Sequence, residues 1–198
     1  MKLPKSAHTD QPWRIHEIAP DFRIEDVWSF RTPGAGPDDF PLMIEALREI
    51  SGQASWATRA LFAIRWKLGA IFGWDDPEAG FKGRVRSLRE RLPAEMRDVP
   101  LRAEFDLIPF KNVYELENEF VQELANKTVH DLTHLGWVRT ESGEYELRMA
   151  ALVKPNGLFG RLYMLAILPF RYLIVYPSLT RRWERAWMDI ARPQIMKS

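Results

Sequence analysis

The C-terminal stretch from Leu152 to Trp187 limits the folds open to this chain more than any other part of the sequence. In it, a tight Pro155-Asn156-Gly157 turn is followed by one long predicted helix. Between Leu158 and Thr180 this helix carries only two charged residues, Arg161 and Arg171, so it is apolar on nearly every side. Such a helix must be covered over most of its surface. A sheet that wraps around the helix would cover it, and so would a membrane surface.

The same stretch does not have the composition of a transmembrane helix. Arg171 lies in its middle, and Pro169 and Pro177 interrupt it. An arginine at the centre of a bilayer costs roughly 2.5–3.5 kcal/mol, and no run of about 18 uncharged residues is present. The N-terminus has charged residues but no apolar core, so it is not predicted to be a secretory signal.

The composition is typical of a soluble globular protein. The chain has 198 residues, and we predict a single domain over residues 1–198 with a flexible segment at 1–12. Lys and Arg (28) nearly balance Asp and Glu (27), so no overall field attracts nucleic acid. The absence of cysteine excludes disulfides and thiolate chemistry, and it fits a cytoplasmic protein. No motif predicts a cofactor, because Gly34-Ala35-Gly36 lacks the rest of a phosphate-binding loop.

The hydrophobic pattern changes its period along the chain and indicates an α+β fold. The N-terminal half is predicted to hold a strand at Trp13 to Ile18, a short helix within Asp21 to Phe30, and helices at Phe40 to Ile50 and Ser55 to Phe72. From Phe110 to Lys154 apolar residues alternate, which predicts antiparallel strands, with a hairpin loop at Thr140-Glu141-Ser142 and Gly143. This order predicts a curved antiparallel sheet packed around the long C-terminal helix, with a helical insertion after the first strand.

A polar row on the predicted sheet is the best candidate for a functional site. On a strand through residues 126–134, alternate side chains share a face. They are Asn126, Thr128, His130, Leu132 and His134. Either the row lines a pocket, or it faces water and the histidines bond to neighbouring backbone. Zinc binding is disfavoured, because His130 and His134 on a strand lie roughly 13 Å apart at about 3.3 Å per residue.

Several charged residues also have two interpretations. Glu115, Glu117 and Glu119 would share one face of a hairpin, where like charges raise one another's pKa, but a solvent-exposed hairpin end is the simpler explanation. Lys154 is predicted to lie at a strand end in water. Arg171 either pairs with an anionic head group of a ligand or extends along the surface to reach water.

The end of the last predicted helix is basic and aromatic. Its residues of this kind are Arg181, Arg182, Trp183, Arg185 and Trp187. Cations at this position complement the negative end of the helix dipole. The same residues would suit an acidic membrane surface.

Several motifs together resemble a bacterial protein family of unknown function. They are the segment from Pro12 to Trp28, the Asn126-Lys127-Thr128-Val129-His130 strand, Leu152-Val153-Lys154-Pro155-Asn156-Gly157, Pro169-Phe170-Arg171 and Tyr176-Pro177. Members of this family occur alone or appended to short-chain-dehydrogenase-like proteins, and the family is similar to the START-like helix-grip superfamily (SRPBCC). The resemblance implies a hydrophobic ligand held between a curved antiparallel sheet and the C-terminal helix. It implies no particular activity.

We therefore predict a helix-grip domain that binds a small or medium apolar molecule or lipid with a polar or anionic head. The candidate ligand-binding residues are Tyr114, Asn126, Thr128, His130, His134, Leu165, Phe170 and Arg171. Two alternatives from other classes stay open. One is an enzyme that uses a histidine of the same pocket as general acid or base. The other is a module that docks on a membrane or on a short-chain-dehydrogenase-like partner.

Overall fold

The structure is a computed structural model of the chain. It describes residues 1–51, 86–99, 101, 110–125 and 129–195. The predicted helix at Ser55 to Phe72 lies outside these residues, as do Asn126 and Thr128.

In the described part of the chain, an open antiparallel sheet of six strands forms the centre of an α+β fold. The strands are β1 (Lys2–Leu3), β2 (Arg23–Phe30), β3 (Lys111–Glu115), β4 (Glu119–Ala125), β5 (Val129–Arg139) and β6 (Tyr145–Pro155). Their order across the sheet is β1-β2-β6-β5-β4-β3, so the first long strand lies beside the last one. The antiparallel strands predicted after Phe110 are confirmed.

The longest hairpin joins β5 and β6 through residues 140–144, where the sequence predicted a turn. Gly143 has a φ of +89°, in the left-handed region that favours glycine. The backbone N–H of Thr140 donates to the carbonyl oxygen of Glu144 at 2.7 Å and closes the hairpin.

Short and long helices surround the sheet. They are α1 (Ser6–Thr9), α2 (Ile15–Ile18), α3 (Phe40–Ser51), α4 (Ala94–Arg97), α5 (Gly157–Phe170) and α6 (Tyr176–Ile195), with a 3-10 turn at Leu88–Arg91 and a π-helical turn at Arg171–Val175. The prediction of a helix at Phe40 to Ile50 is confirmed. The long C-terminal helix is also confirmed, and the π-helical turn joins its two halves, α5 and α6.

One side of the sheet is covered by α3 and the C-terminal helix, and we name it the helix-facing side. From α3, the side chains of Phe40, Met43, Ile44 and Leu47 are buried there. Their i, i+3, i+4, i+7 spacing is the reason that this segment forms an amphipathic helix. From α6, Trp183 and Trp187 join the same core.

The other side of the sheet, which we name the opposite side, is covered by α1, α2 and the 3-10 turn. Trp13 packs directly over Gly136 of β5, and a Cβ atom at Gly136 would lie 2.7 Å from the Trp13 ring. The missing side chain therefore permits this close approach. Leu88 and Leu92 are also buried on this side, against Val113 and Val121 of β3 and β4.

Three predictions for the N-terminal region are wrong. Residues 13–18 do not form a strand, because Ile15 and Ile18, three positions apart, turn together into the core as α2. Residues 23–30 are not helical but form β2, where Val27, Trp28 and Phe30 suit a strand buried on both sides. Residues 1–12 are not a flexible tail, since β1 pairs with β2 and His8 is buried.

Candidate functional site

A row of side chains, all polar except one alanine, crosses the helix-facing side of the sheet. Directly paired residues on neighbouring strands share a side, and four successive pairs connect Asn112, Gln122, Thr133, Ala151 and Asp26 in that order. We name these five residues the polar row. Asn112, Gln122 and Asp26 are buried, and Thr133 is half-buried. The Gln122 amide donates to Asn112 Oδ1 at 3.0 Å.

From β4 across to β2, the next row along the same side of the sheet is apolar. It contains Phe120, Leu135, Met149 and Trp28, which pair across the sheet in the same way. These residues form the core with α3 and α6. The helix-facing side therefore changes from apolar beneath α6 to polar beneath the π-helical turn. The change takes place between two adjacent rows, whose residues are two positions apart along each strand.

Asp26 at one end of the polar row binds the C-terminal helix. The Arg171 guanidinium lies 2.9 Å from Asp26 Oδ2, and the Tyr176 hydroxyl donates to the same oxygen at 2.8 Å. The Tyr172 hydroxyl donates to Asp26 Oδ1. Arg171 also donates to the Tyr176 hydroxyl at 2.6 Å. From β1, Lys2 donates to the Tyr172 hydroxyl at 2.9 Å.

The π-helical turn makes this arrangement possible. In an α-helix, residues five positions apart point about 140° away from each other. Arg171 and Tyr176 are five positions apart, and the wider π-helical turn brings both to the same carboxylate. Pro169 lies just before the turn and lacks the N–H group that a regular helix would use. The proline and the wide turn thus orient the polar side chains of this helix.

Arg171, Tyr172, Tyr176 and Asp26 form what we name the Arg171 cluster. The protonation states of its side chains follow from burial and charge. Burial, with the Asp26 carboxylate, raises the pKa of Tyr176 well above its usual range. Burial and the hydrogen bond to Asp26 also raise the pKa of Tyr172. Burial alone would lower the pKa of Arg171, but Tyr176, Asp131 and Asp26 hold that pKa above its ordinary value. The cluster therefore presents a charged guanidinium and two neutral hydroxyl groups near neutral pH.

One nitrogen of Arg171 has no hydrogen-bond partner among the residues that the structure describes. Its Nη1 atom is buried, and no described residue accepts a hydrogen bond from it. Arg171 interacts electrostatically with Asp26 of β2 and with Asp131 of β5, and these two strands flank β6. The guanidinium therefore lies over β6, where the helix-facing residues are the small Ala151 and Val153.

The predicted histidines lie on the opposite side of the sheet. The Nε2 atom of His134 lies 3.2 Å from Glu119 Oε2. The Nδ1 atom of His134 lies 3.2 Å from His8 Nε2. Tyr114 donates to the same Glu119 oxygen at 3.0 Å, and the backbone N–H of Arg14 donates to Glu119 Oε1 at 2.8 Å. This buried chain fastens the N-terminal segment to β4 and β5.

Burial sets the charge states of that chain. Burial lowers the pKa of His134. Burial, together with the neighbouring His134 and His16, lowers the pKa of His8 from 6.5 to about 2. Burial would raise the pKa of Glu119, but hydrogen bonds from His134, the Arg14 backbone and Tyr114 outweigh it and lower that pKa. Neutral histidines thus stand beside a carboxylate that keeps its charge.

His130 makes a second, similar contact on the opposite side. Its Nε2 atom lies 2.9 Å from Glu123 Oε2, and the backbone N–H of Leu88 donates to the same oxygen at 2.9 Å. Ser87 donates to the other Glu123 oxygen. Glu123, which His130 contacts, thus attaches the 3-10 turn to the sheet.

A hollow of about 510 Å³ opens at the edge of the opposite side. Phe22, Ile24 and Leu152 supply apolar lining, and Lys5 and His16 are among its polar lining residues. Neither His130 nor His134 lines it. The predicted histidine site and this hollow are therefore separate features.

The predicted site residues fall into two groups that the sheet separates. Tyr114, His130 and His134 lie on the opposite side, while Arg171 lies on the helix-facing side. Leu165 and Phe170 belong to the C-terminal helix and are exposed. The residues of β5 that share a side with the Arg171 cluster are Asp131 and Thr133, one position out of phase with the predicted row. Asp26 was not predicted from the sequence. The signal that could have indicated a buried carboxylate was an aspartate directly before the largely apolar segment at residues 27–30.

The remaining charged residues are placed as follows. The prediction that Glu115 and Glu119 share a face is wrong, because a bulge in β3 and the pairing of β3 with β4 put Glu115 beside Phe120 on the helix-facing side. There Arg48 donates to Glu115 at 2.6 Å. Lys154 is exposed at a strand end, as predicted, and lies 2.7 Å from Asp21.

Two further predictions concern the end of the chain and metals. Trp183 and Trp187 are buried against the sheet, so these aromatic residues do not form an exposed docking surface. Among the described residues, no group of histidine and acidic side chains could hold a metal ion. No described helix combines the length and apolar character needed to cross a bilayer.

The fold and this site define a class: α+β proteins in which an open antiparallel sheet, with its first long strand beside its last, meets a long C-terminal helix through a buried ionic cluster. The model of a protein family of unknown function, DUF2867, matches residues 18–178, and the chain belongs to this family. The predicted membership of a family of unknown function is thereby confirmed. Neither a curated protein nor a solved structure matches the chain.

Proposed function

We propose that the protein binds a small, mostly apolar molecule between the helix-facing side of the sheet and the C-terminal helix. The observation that carries this proposal is the buried Nη1 atom of Arg171, which has no hydrogen-bond partner among the described residues. Leaving a buried donor unsatisfied costs about 1–3 kcal/mol, and more for a charged group. A ligand oxygen that accepts this hydrogen bond would remove the cost.

The charges around Arg171 favour a neutral oxygen on the ligand. Asp26 already pairs with the guanidinium, and Asp131 also acts on it. An anionic head group at Arg171 would meet these two carboxylates, and like charges at such short range repel strongly. A second cation, Lys2, lies 3.8 Å from Asp26 Oδ1, the oxygen that Arg171 does not pair with. A carbonyl, ether or hydroxyl oxygen avoids that repulsion. We therefore replace the predicted anionic head group by a neutral acceptor.

The rest of the polar row suits the same ligand. Gln122 and Thr133 can offer hydrogen bonds on the same side of the sheet as Asp26. Ala151, which lies between Thr133 and Asp26 in the row, has a small side chain. The neighbouring row of large apolar side chains supplies an apolar boundary. A mostly apolar site with a few convergent polar groups is the usual form of a small-molecule pocket.

The strand order supports a helix-grip arrangement as part of this proposal. The first long strand pairs with the last, and the C-terminal helix follows that last strand directly. In the helix-grip superfamily that the sequence resembles, a hydrophobic ligand lies between sheet and C-terminal helix. A histidine acid–base function in the same pocket is less well supported, because His130 and His134 lie on the opposite side of the sheet.

Native mass spectrometry of freshly purified protein tests the proposal first. We expect a co-purified apolar molecule at one per chain, or saturable one-to-one binding of the neutral dye Nile red. Ala151→Leu fills the space in the polar row and should lower the Nile red affinity at least tenfold. Thr133→Val should lower it less, since only one hydroxyl is lost.

Matched variants separate ligand binding from stability. Thr140→Val makes the same chemical change as Thr133→Val in the β5–β6 turn, far from the polar row, and should leave the dye affinity unchanged. Circular dichroism establishes that each variant is folded. Protein that carries no ligand and takes up no dye would overturn the proposal. Unchanged affinity in folded Ala151→Leu would place the dye elsewhere and would also overturn it.

A further inference from the structure

The outward face of the C-terminal helix is apolar and exposed. Leu173 is 76% exposed, Leu165 is 62% exposed and Phe170 is 39% exposed. Soluble proteins rarely leave adjacent large apolar side chains of one helix in water. We infer that this face docks on an anionic lipid surface. The inference does not depend on the proposed ligand site, which lies on the inner face of the same helix.

The exposed residues follow one line along the helix. At steps of four they are Arg161, Leu165, Pro169, Leu173, Pro177, Arg181, Arg185 and Asp189. Residues four apart are neighbours on a helix surface. Each step of four turns about 40° around an α-helix, so the line winds slowly, and the wider π-helical turn within it reduces the winding. All of these residues are exposed except Pro177, which is half-buried. The line is apolar in its middle. Arg161 lies at one end, and Arg181, Arg185 and Asp189 lie at the other, so both ends have a net positive charge.

The charge of this region selects an anionic partner. From Leu147 to Trp183 the sequence contains no Asp or Glu. Of the arginines on the outward line, Arg161 precedes the apolar middle, and Arg181 and Arg185 follow it. Helices that lie in the plane of a membrane combine an apolar face with flanking Lys or Arg, and their binding is the sum of apolar burial and attraction to anionic lipids.

Geometry favours a surface-lying helix over a spanning one or over a second copy of the chain. The inner face is fixed to the sheet by the Arg171–Asp26 pair and by buried Trp183 and Trp187, so the outward face is presented in one orientation. In a two-fold dimer through this face, the Arg161 end of one helix would meet the Arg181 end of the other. Those ends are both positive and would repel.

Vesicle flotation tests the inference. The full chain should float with vesicles of phosphatidylcholine that contain 30 mol% phosphatidylglycerol. It should float much less with vesicles of pure phosphatidylcholine. Arg161→Gln combined with Arg181→Gln should lower the partition coefficient on the anionic vesicles by about 30-fold. Leu165→Asn combined with Leu173→Asn should abolish flotation, with the fold verified by circular dichroism.

Two control variants make the same changes elsewhere on the surface. Val99→Asn removes an exposed apolar side chain outside the helix, and Arg139→Gln removes an exposed charge at the end of β5. Both should float like the original protein. Failure to float with anionic vesicles would overturn the inference. A dimer in light scattering without lipid, lost in Leu173→Asn, would also overturn it, because a second copy would then cover this face.

Discussion

The burial of His8 predicts that mild acid destabilises the fold by a calculable amount. His8 is 1% exposed in α1, its Nε2 atom contacts His134, and burial lowers its pKa from 6.5 to about 2. His16 is the other titratable group that acts on it. Between these two pKa values the unfolded chain binds a proton that the folded chain does not. The free energy of unfolding therefore falls as the pH falls through this window.

The magnitude follows from linkage. Each pH unit below the unfolded pKa of 6.5 costs about 1.4 kcal/mol for one such histidine. From pH 7 to pH 5 the folded state should thus lose about 2 kcal/mol through His8 alone. The lowered pKa of His134, another buried histidine, acts with the same sign. The lowered pKa of Glu119 also destabilises in acid, but only as the pH falls below about 4.5.

Urea denaturation at pH 7, 6 and 5 measures this effect. His8→Gln keeps a polar side chain and removes the titration, so the loss of unfolding free energy between pH 7 and pH 5 should shrink by about 2 kcal/mol relative to the original protein. Because each protein is compared with itself at two pH values, a pH-independent cost of the substitution to the unfolding free energy cancels. An equal pH dependence in both proteins would refute the reasoning and would mean that His8 is protonated in the fold.

Two further predictions test the close contacts of the fold. Arg171→Met removes the nearer cation from the buried Asp26 carboxylate, whose other cation, Lys2, lies 3.8 Å away, and should cost about 3–5 kcal/mol in urea denaturation. Adding Asp26→Asn to Arg171→Met should recover part of that loss, and additive effects of the two single substitutions would contradict the pair. Gly136→Ala places a Cβ 2.7 Å from the Trp13 ring and should lower the unfolding free energy by about 1–3 kcal/mol, while Gly36→Ala, whose Cβ would meet an ordinary 3.5 Å contact, should change it little.

Local patterns were sufficient for much of the C-terminal half of the fold. The alternation after Phe110, the turn at residues 140–144 and the apolar run after Gly157 predicted strands, a hairpin and a long helix, all of which are present. The helix predicted at Phe40 to Ile50 is likewise present, as α3. These elements are determined by neighbouring residues, because helical and strand periods are properties of a few consecutive positions.

The N-terminal errors show where local patterns lose their meaning. The β2 strand is buried on both sides, so its apolar residues do not alternate with polar ones and its pattern is ambiguous between strand and helix. The first residues of the chain carry few local signals. They are held by partners distant in sequence, such as β2 and His134.

The identity of the site was decided by the tertiary structure. Alternation along β5 separates His130 and His134 from Asp131 and Thr133, but it does not say which set faces the C-terminal helix. Both sides of the sheet are covered, so neither set is marked by exposure, and a change of one position exchanges the two sides. The register between β2 and β6 and the π-helical turn bring Asp26 to Arg171. The sequence alone determined which residues lie together on a strand, whereas the side each set faces follows from contacts between residues far apart in the chain.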